Sequence, residues 1–348
     1  MTKKQSAARV WRALAWLAAV ASVSAFQLSR PETAFAAGYY EGKTLTVVVG
    51  YKPGGGYDRY ARLIGKYLPR HLPGNPTVII QNMPGANSII AANHVFSVAK
   101  PDGLTIGTFN NGLVIAQLTR VEGVKYDLTK LSWLGSAASD AAILALRSDL
   151  PFKTVADLRK AKEPIVIGAT GPGSSTYDFP ALLKEFAGLN LKLVSGYSSS
   201  ADVMLAIERK EVDGRAGSYA SILPYITNGL VRPLIRTRVR VPEIEKLPVD
   251  EDLATTPKGK ALMAVRSAPE AIYRPFAAPP GVPADALKTL RDGFAAALRD
   301  KDLLAEAAKG KLPIDYVSAE EALKIVREVL SQPPDVAREI GKYIKFGD

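Results

Sequence analysis

Leu45-Thr-Val-Val-Val49 runs into Gly50-Tyr-Lys-Pro-Gly-Gly-Gly-Tyr-Asp58, and Val78-Ile-Ile80 runs into Gln81-Asn-Met-Pro-Gly-Ala-Asn87. Each stretch is a short apolar strand followed by a glycine-bearing turn. A helical pattern comes next in both: Asp58–Leu68, with Ala61, Ile64 and Leu68 on one face, and Ser88–Ala99. Two strand–turn–helix units in succession place both turns at one edge of an α/β sheet. Backbone N–H groups at such turns point outward, beside the positive end of a helix dipole, where they hold an anion. Pro53, Gly54, Gly55, Gly56, Tyr57 and Asp58 are therefore candidate ligand-binding residues, as are Asn82, Gly85, Ala86 and Asn87. Asp58 is expected to cap the helix, leaving the N–H groups of Gly54 to Gly56 free for a carboxylate. The spacing matches neither of the two common nucleotide-phosphate glycine motifs.

The alternation continues. Leu104–Thr108 reads as a third strand after the turn Pro101-Asp-Gly103. A second series starts near Ser139, with strands at Ile143–Leu146, Ile165–Gly168 and Leu191–Val194. Shorter strand candidates are Val212–Gly214 and Leu234–Ile235, and Thr154-Val-Ala-Asp157 reads as a capping box. Helices are expected at Tyr177–Ala187 and Ala201–Arg209. Their preceding turns offer Thr170, Gly173, Ser174 and Ser175, and then Tyr197, Ser198 and Ser199. The last hundred residues read as helical wrapping, with helices at Ala284–Leu298 and after Ser318-x-x-Glu321. Turns of one kind in both halves imply two lobes facing across a cleft that closes by hinge motion. The expected lobes are residues 38–138 with 239–348, and residues 139–238.

The first 36 residues form a separate object. Lys3, Lys4, Arg9 and Arg12 precede the apolar run Ala13–Phe26, which is too short to span a bilayer, and Ala34-Phe-Ala36 offers a cleavage site. Val23-Ser-Ala25 is a competing site. This is the pattern of a cleavable export signal. Cysteine is absent, which excludes disulfides, thiol nucleophiles and cysteine metal sites. A periplasmic location is the expectation. Of the 348 residues, 47% are hydrophobic and 23% charged, a globular balance. The precursor carries +11, and removing five basic residues and one acidic residue with the leader leaves +7. That charge favours anionic ligands at long range but is too dispersed for nucleic acid.

Catalysis has little support. His71 and His94 are the only histidines and show no metal spacing. Ser174 has no evident base. Neither a cofactor nor a metal is expected, and an exported hydrolase using Ser174 or Ser175 is the weak enzymatic alternative.

Pro53-Gly-Gly-Gly-x-Asp58-x-x-Ala61-Arg62, Asn82-x-Pro84-Gly-Ala86, Ala99-x-Pro101-Asp-Gly103, Tyr197, Glu211-Val-Asp-Gly214 and Ala278-Pro-Pro-Gly-Val-Pro283 follow one another in this order. Across the whole chain beyond the leader, this series resembles the tripartite tricarboxylate transporter substrate-binding family, the Bug receptors. The resemblance implies a type II periplasmic-binding-protein (Venus flytrap) fold and a non-enzymatic, monomeric receptor. It also implies delivery of a small di- or tricarboxylate, or an aromatic acid, to membrane permease subunits. A ligand-sensing receptor of the same fold is the alternative. In the family the turns matching 53–58 and 82–87 approach one carboxylate, and those matching 170–175 and 197–200 complete the cleft. Tyr57 departs from the small hydroxyl residue common there, which would narrow the pocket or stack on an aromatic ligand. Tyr197-Ser-Ser199 replaces Tyr-Lys-Gly, and a family aspartate falls at Ala206, with Asp202 one turn earlier as a substitute.

Overall fold

The computed structural model describes residues 38–344, so the expected leader, residues 1–36, lies outside the described residues. The chain first forms β1 (Thr44–Val49), α1 (Gly56–Tyr67), β2 (Thr77–Asn82), α2 (Ile89–Ser97), β3 (Thr105–Thr108), α3 (Leu113–Leu118) and β4 (Ser132–Ser136). It then forms β5 (Ala142–Arg147), α4 (Val155–Arg159), β6 (Ile165–Gly168), α5 (Ser175–Phe186) and β7 (Leu191–Val194). After these come α6 (Ser200–Glu208), β8 (Gly214–Ser218), α7 (Tyr219–Thr227) and β9 (Val231–Arg236). The remainder is α8 (Asp250–Leu253), α9 (Pro257–Ser267), β10 (Pro275–Ala278), α10 (Ala284–Ala297), α11 (Lys301–Lys309), α12 (Ala319–Leu330) and α13 (Pro334–Tyr343).

Two five-stranded sheets result, ordered β2-β1-β3-β10-β4 and β7-β6-β8-β5-β9. They share one plan. In each, three parallel strands carry the strand–turn–helix units, and the fourth strand lies antiparallel to both its neighbours. The turns after β1 and β2 thus correspond to those after β6 and β7, all at carboxyl ends of parallel strands.

β1 is apolar from Val47 to Val49 because both its faces are covered there. Val47 and Val49 pack with Ile64, Leu68 and Phe294 on one side, while Val48 packs with Ala92 and Val95 on the other. Each such buried side chain contributes about 1.5–3 kcal/mol. In the second sheet, Ile143 and Ala145 meet Val203 and Ile207 of α6. The apolar cluster containing Val48 also takes in Leu144 and Ile167 of the second sheet, so hydrophobic contact is continuous between the sheets. Helix α9 packs against α5.

Strand and helix positions mostly fall within a few residues of those expected, and the capping box at Thr154 and Asp157 forms. Helices α3 and α7 have no counterpart in the sequence reading, and three strands differ. β4 and β10 are not anticipated by the sequence pattern, and β10 sits inside the segment that reads as helical wrapping. The strand expected at Val212–Gly214 runs instead over Gly214–Ser218, where two glycines and a buried arginine hide the alternation. The chain passes between the sheets along neighbouring segments. Tyr273 N–H donates to the Ala138 carbonyl (2.9 Å), Asp140 N–H to Glu270 (3.1 Å) and Thr237 N–H to Ala142 (2.9 Å).

Candidate functional site

Helix α1 begins at Gly56, two residues earlier than expected, and no side chain caps it; the capping position is Gly55. Asp58 is therefore not the N-cap. It lies inside the first turn and folds back, its Oδ2 accepting from Gly54 N–H (2.8 Å) and from Arg62 Nε (2.9 Å). Its Oδ1 accepts from Asn82 Nδ2 (2.9 Å), and Asn82 Nδ2 also donates to the Tyr51 carbonyl (2.8 Å). The Gly54 N–H is consequently occupied, and Asn82 is spent on tying the two turns together. Burial alone would raise the Asp58 pKa, but the bonds from Arg62, Gly54 and Asn82 outweigh it and hold the carboxyl below its usual range. Gly54 takes φ +88°, a left-handed value that other residues adopt at a cost of about 1–2 kcal/mol. What remains open at this turn is the uncapped start of the helix at Gly55, Gly56 and Tyr57.

Tyr57 is fastened in place. Its ring stacks on Tyr51, with centroids 4.9 Å apart, and the Arg274 guanidinium lies 4.5 Å from its centroid. These contacts occupy the ring, so stacking on a ligand, one of the two roles expected, is not available to it. Its hydroxyl donates to Asn111 Oδ1 (3.2 Å) and accepts from Asn111 N–H (3.1 Å). Burial pushes that hydroxyl up to about 12 against the pull of Arg274, so it acts as a neutral donor at ordinary pH.

The second turn is strained: Ala86, Asn87 and Ser88 have φ of 43°, 49° and 79°. It points Asn87 across the molecule, where Nδ2 donates to the Pro172 carbonyl (2.8 Å). Asn110 makes the same kind of reach, from Nδ2 to the Gly173 carbonyl (3.2 Å). Sequence reasoning misses Asn110 and Asn111, although Asn110-Asn-Gly112, one residue beyond the end of β3, carries the signal used for the first two strands. Asn110, Asn111, Gly173, Ser175 and Asp178 line a cavity of about 20 Å³ at this contact, room for one water molecule.

On the opposite side, Thr170, Ser174 and Thr176 share hydroxyl hydrogen bonds of 2.7–3.0 Å, and Ser174 Oγ donates to the Gly171 carbonyl (2.6 Å). No base reaches Ser174 among the described residues, so a serine nucleophile does not assemble. Helix α5 starts at Ser175 without a side-chain cap, as α1 does. Gly173 N–H donates to Asp178 Oδ1 (2.9 Å), and burial pushes Asp178 up to about 7 despite the nearby Arg266. Ser199 accepts from Asp202 N–H (3.2 Å) and donates to Asp202 Oδ2 (2.9 Å), so Asp202 serves the start of α6. Ser198 is exposed, Tyr197 is half-buried over Gly168, and Ala206 faces the apolar core.

His71 pairs with Asp300 (2.9 Å), and no metal-holding cluster occurs among the described residues. Sequence reasoning also misses the buried arginines. Arg215 and Arg274 are 2% and 6% exposed, with no carboxylate within ion-pair distance among the described residues. No spacing rule marks a single arginine in a strand or at a strand entrance.

The first turn connects to the opposite one through Tyr57 to Asn111, and through its neighbour Asn110 to Gly173. A Pseudomonas sp. (strain P51) protein, "UPF0065 protein in tcbD-tcbE intergenic region", is 26% identical over 223 residues, 63% of this chain. The match spans 65% of that relative's length. The periplasmic binding protein BugD has a similar structure, with TM-score 0.69 and 21% identity over 88% of this chain and 99% of its own. MatC from Rhodopseudomonas palustris with bound malate has TM-score 0.66 and 21% identity over 85% and 99%. These structures share the fold: mixed α/β with two sheets. The family model described as "Tripartite tricarboxylate transporter family receptor" matches residues 61–341, most of the chain. The chain therefore belongs to the tripartite tricarboxylate transporter receptor family.

Proposed function

We propose that this protein is a periplasmic solute-binding receptor that captures a small organic carboxylate and presents it to the permease subunits of a tripartite transporter. The observation that carries this reading is the pair of uncapped helix starts, at Gly55–Tyr57 and at Ser174–Thr176. Asn110 and Asn111 link the two turns to each other, and Asn87 reaches the latter from the turn after β2. Both supply neutral, fixed N–H donors, the groups that bind a carboxylate without a covalent step. The ligand-binding residues would be Gly55, Gly56 and Tyr57 with Asn87 on one lobe. Thr170, Ser174, Ser175, Tyr197 and Ser198 would serve on the other, since Gly173 N–H is given to Asp178 and Ser199 caps α6. The lobes would be residues 38–138 with 239–348, and 139–238, closing about the segments near Ala138 and Thr237. Residues 1–36 would be removed on export, and the receptor would act as a monomer. MatC, a family-fold neighbour, holds malate, which supports an aliphatic di- or tricarboxylate. An aromatic acid loses support because the Tyr57 ring is already engaged.

The test is a thermal-shift screen against mono-, di- and tricarboxylates beside their amides. A ligand at a hundredfold excess over its dissociation constant stabilises by about 2.7 kcal/mol. Stabilisation by an acid and not by its amide is the expected result. Equal response to acid and amide, or none to any acid after unfolding and refolding to strip bound ligand, would sink the reading.

A further inference from the structure

Glu270 lies between α9 and β10, on the stretch that returns the chain to the first sheet, and is 1% exposed. Its Oε2 accepts from Ala142 N–H (2.9 Å), at the start of β5, and from the Thr237 hydroxyl, one residue beyond β9. Its backbone carbonyl accepts from Asp140 N–H (3.1 Å). One buried residue therefore grips both segments about which the lobes would close. Its Oε1 accepts from Arg266 Nη1, in the last turn of α9. Burial alone would lower the Arg266 pKa, but Glu270, Asp178 and Asp250 outweigh it and hold it above its ordinary value.

Both candidate turns reach this place from the inside. From the turn after β1, the Tyr57 hydroxyl bonds Asn111, and Asn111 Nδ2 donates to the carbonyl of Pro269 (3.0 Å), the residue before Glu270. From the turn after β6, Gly173 N–H donates to Asp178, which lies in the field of Arg266. The Arg266 guanidinium also lies over the ring of Phe179, 5.3 Å from its centroid, on the same helix as Asp178. The small cavity beside Asn110 and Gly173 is lined at its other end by Arg266, Pro269 and Glu270. A buried carboxylate with several donors has few arrangements that satisfy all of them, because any donor left unpaired is costly.

Resting on the two-lobe receptor reading above, we infer that Glu270 is a positioning residue that clamps the hinge in the arrangement where the two turns touch. The links from Asn111 to Pro269 and from Asp178 to Arg266 couple each turn to that clamp. Glu270 touches no solute itself; it acts through the angle between the lobes. A change at residue 270 therefore leaves the binding groups in place and alters how often they meet.

The chain has no cysteine, so Ile90→Cys on α2 and Leu205→Cys on α6, both exposed, carry spin labels at those two sites alone. Double electron–electron resonance then reads the distance between the lobes in the full, solute-free protein. Glu270→Gln keeps the side-chain volume but leaves one acceptor oxygen, which can serve the hinge or Arg266 and not both. It should populate a second, longer distance, raising the open fraction roughly tenfold, the scale of one charge-assisted hydrogen bond. Thr237→Val removes only the hydroxyl and should shift the same distribution in the same direction by a few-fold. Malate dissociation should quicken in step with the open fraction. Circular dichroism confirms folding, and Thr237→Val decides if Glu270→Gln fails to fold. A lowered Tm with an unchanged distance distribution marks a merely structural residue and overturns the inference. If the unsubstituted protein binds no carboxylate, the receptor reading falls, while the solute-free distances still judge the clamp.

Discussion

The turn after β1 and the turn after β6 are built alike up to one aspartate. Each precedes a helix that no side chain caps, and in each an aspartate from the first helical turns folds back onto a glycine N–H: Asp58 onto Gly54, Asp178 onto Gly173. The surroundings then part company. Asp58 has Arg62 and Asn82 as direct partners and stays ionised. Asp178 has burial and only the field of Arg266, and its pKa rises to about 7. One backbone task is thus done by a permanent charge on one side and by a titrating group on the other.

Linkage gives the two sides opposite signs. The Asp58 pKa is lowered on folding, so its stabilisation is present above the unfolded value of about 3.9 and is lost as pH falls through the folded value. The Asp178 pKa is raised, so its favourable contribution is complete below about 3.9 and is lost as pH climbs through about 7. Of these two turns, only the one after β6 changes between pH 5 and 8.

Gly55→Val should show the largest effect. Gly55 has φ −75°, and only the Lys52 carbonyl lies within 4 Å of where a Cβ would stand, so valine fits the backbone while covering the helix start. Carboxylate affinity should fall roughly a hundredfold or more, the loss of two charge-assisted bonds, with Tm unchanged. Retained affinity would move the site away from α1. Asp58→Ala should cost about 2–3 kcal/mol in urea unfolding, since it strands Gly54 N–H, Asn82 and Arg62. A loss below about 0.5 kcal/mol, a surface-mutation value, would break the idea that a charged clamp holds the first turn. Asp178→Asn should flatten part of the decline in Tm from pH 5 to 8. Asp140 and Asp250, raised by burial to about 6 and about 8, retain the rest. An unchanged slope would show that the turn after β6 does not titrate. Ser199→Ala should remove one helix cap, about 1 kcal/mol, and leave affinity alone. A large affinity loss would promote Ser199 from cap to ligand contact.

The strand–turn–helix units are legible in the sequence because apolar runs, glycines and helical periodicity are local signals, and β1, α1, β6 and α5 form where those signals lie. β10 is hidden because Pro275-Phe-Ala-Ala278 is four residues long and becomes a strand only by insertion between β3 and β4. The candidate turns are legible as turns, but the division of labour inside them is not. Asn82 and Asp58 both have donor or acceptor atoms suited to a ligand, and only the three-dimensional register shows them spent on each other. Arg274 lies far along the chain from Gly56, whose missing Cβ makes space for it, so no window of sequence contains both.

The bonds from Asn87 to Pro172 and from Asn110 to Gly173 have a consequence for how affinity is read. Neutral hydrogen bonds contribute about 0.5–1.5 kcal/mol each. Two of them bias the resting population toward the state in which these turns touch by roughly five- to 150-fold. Apparent affinity scales with the fraction of molecules already competent to bind. Two asparagines whose amides are given to backbone carbonyls therefore set part of any measured dissociation constant, whichever solute is titrated.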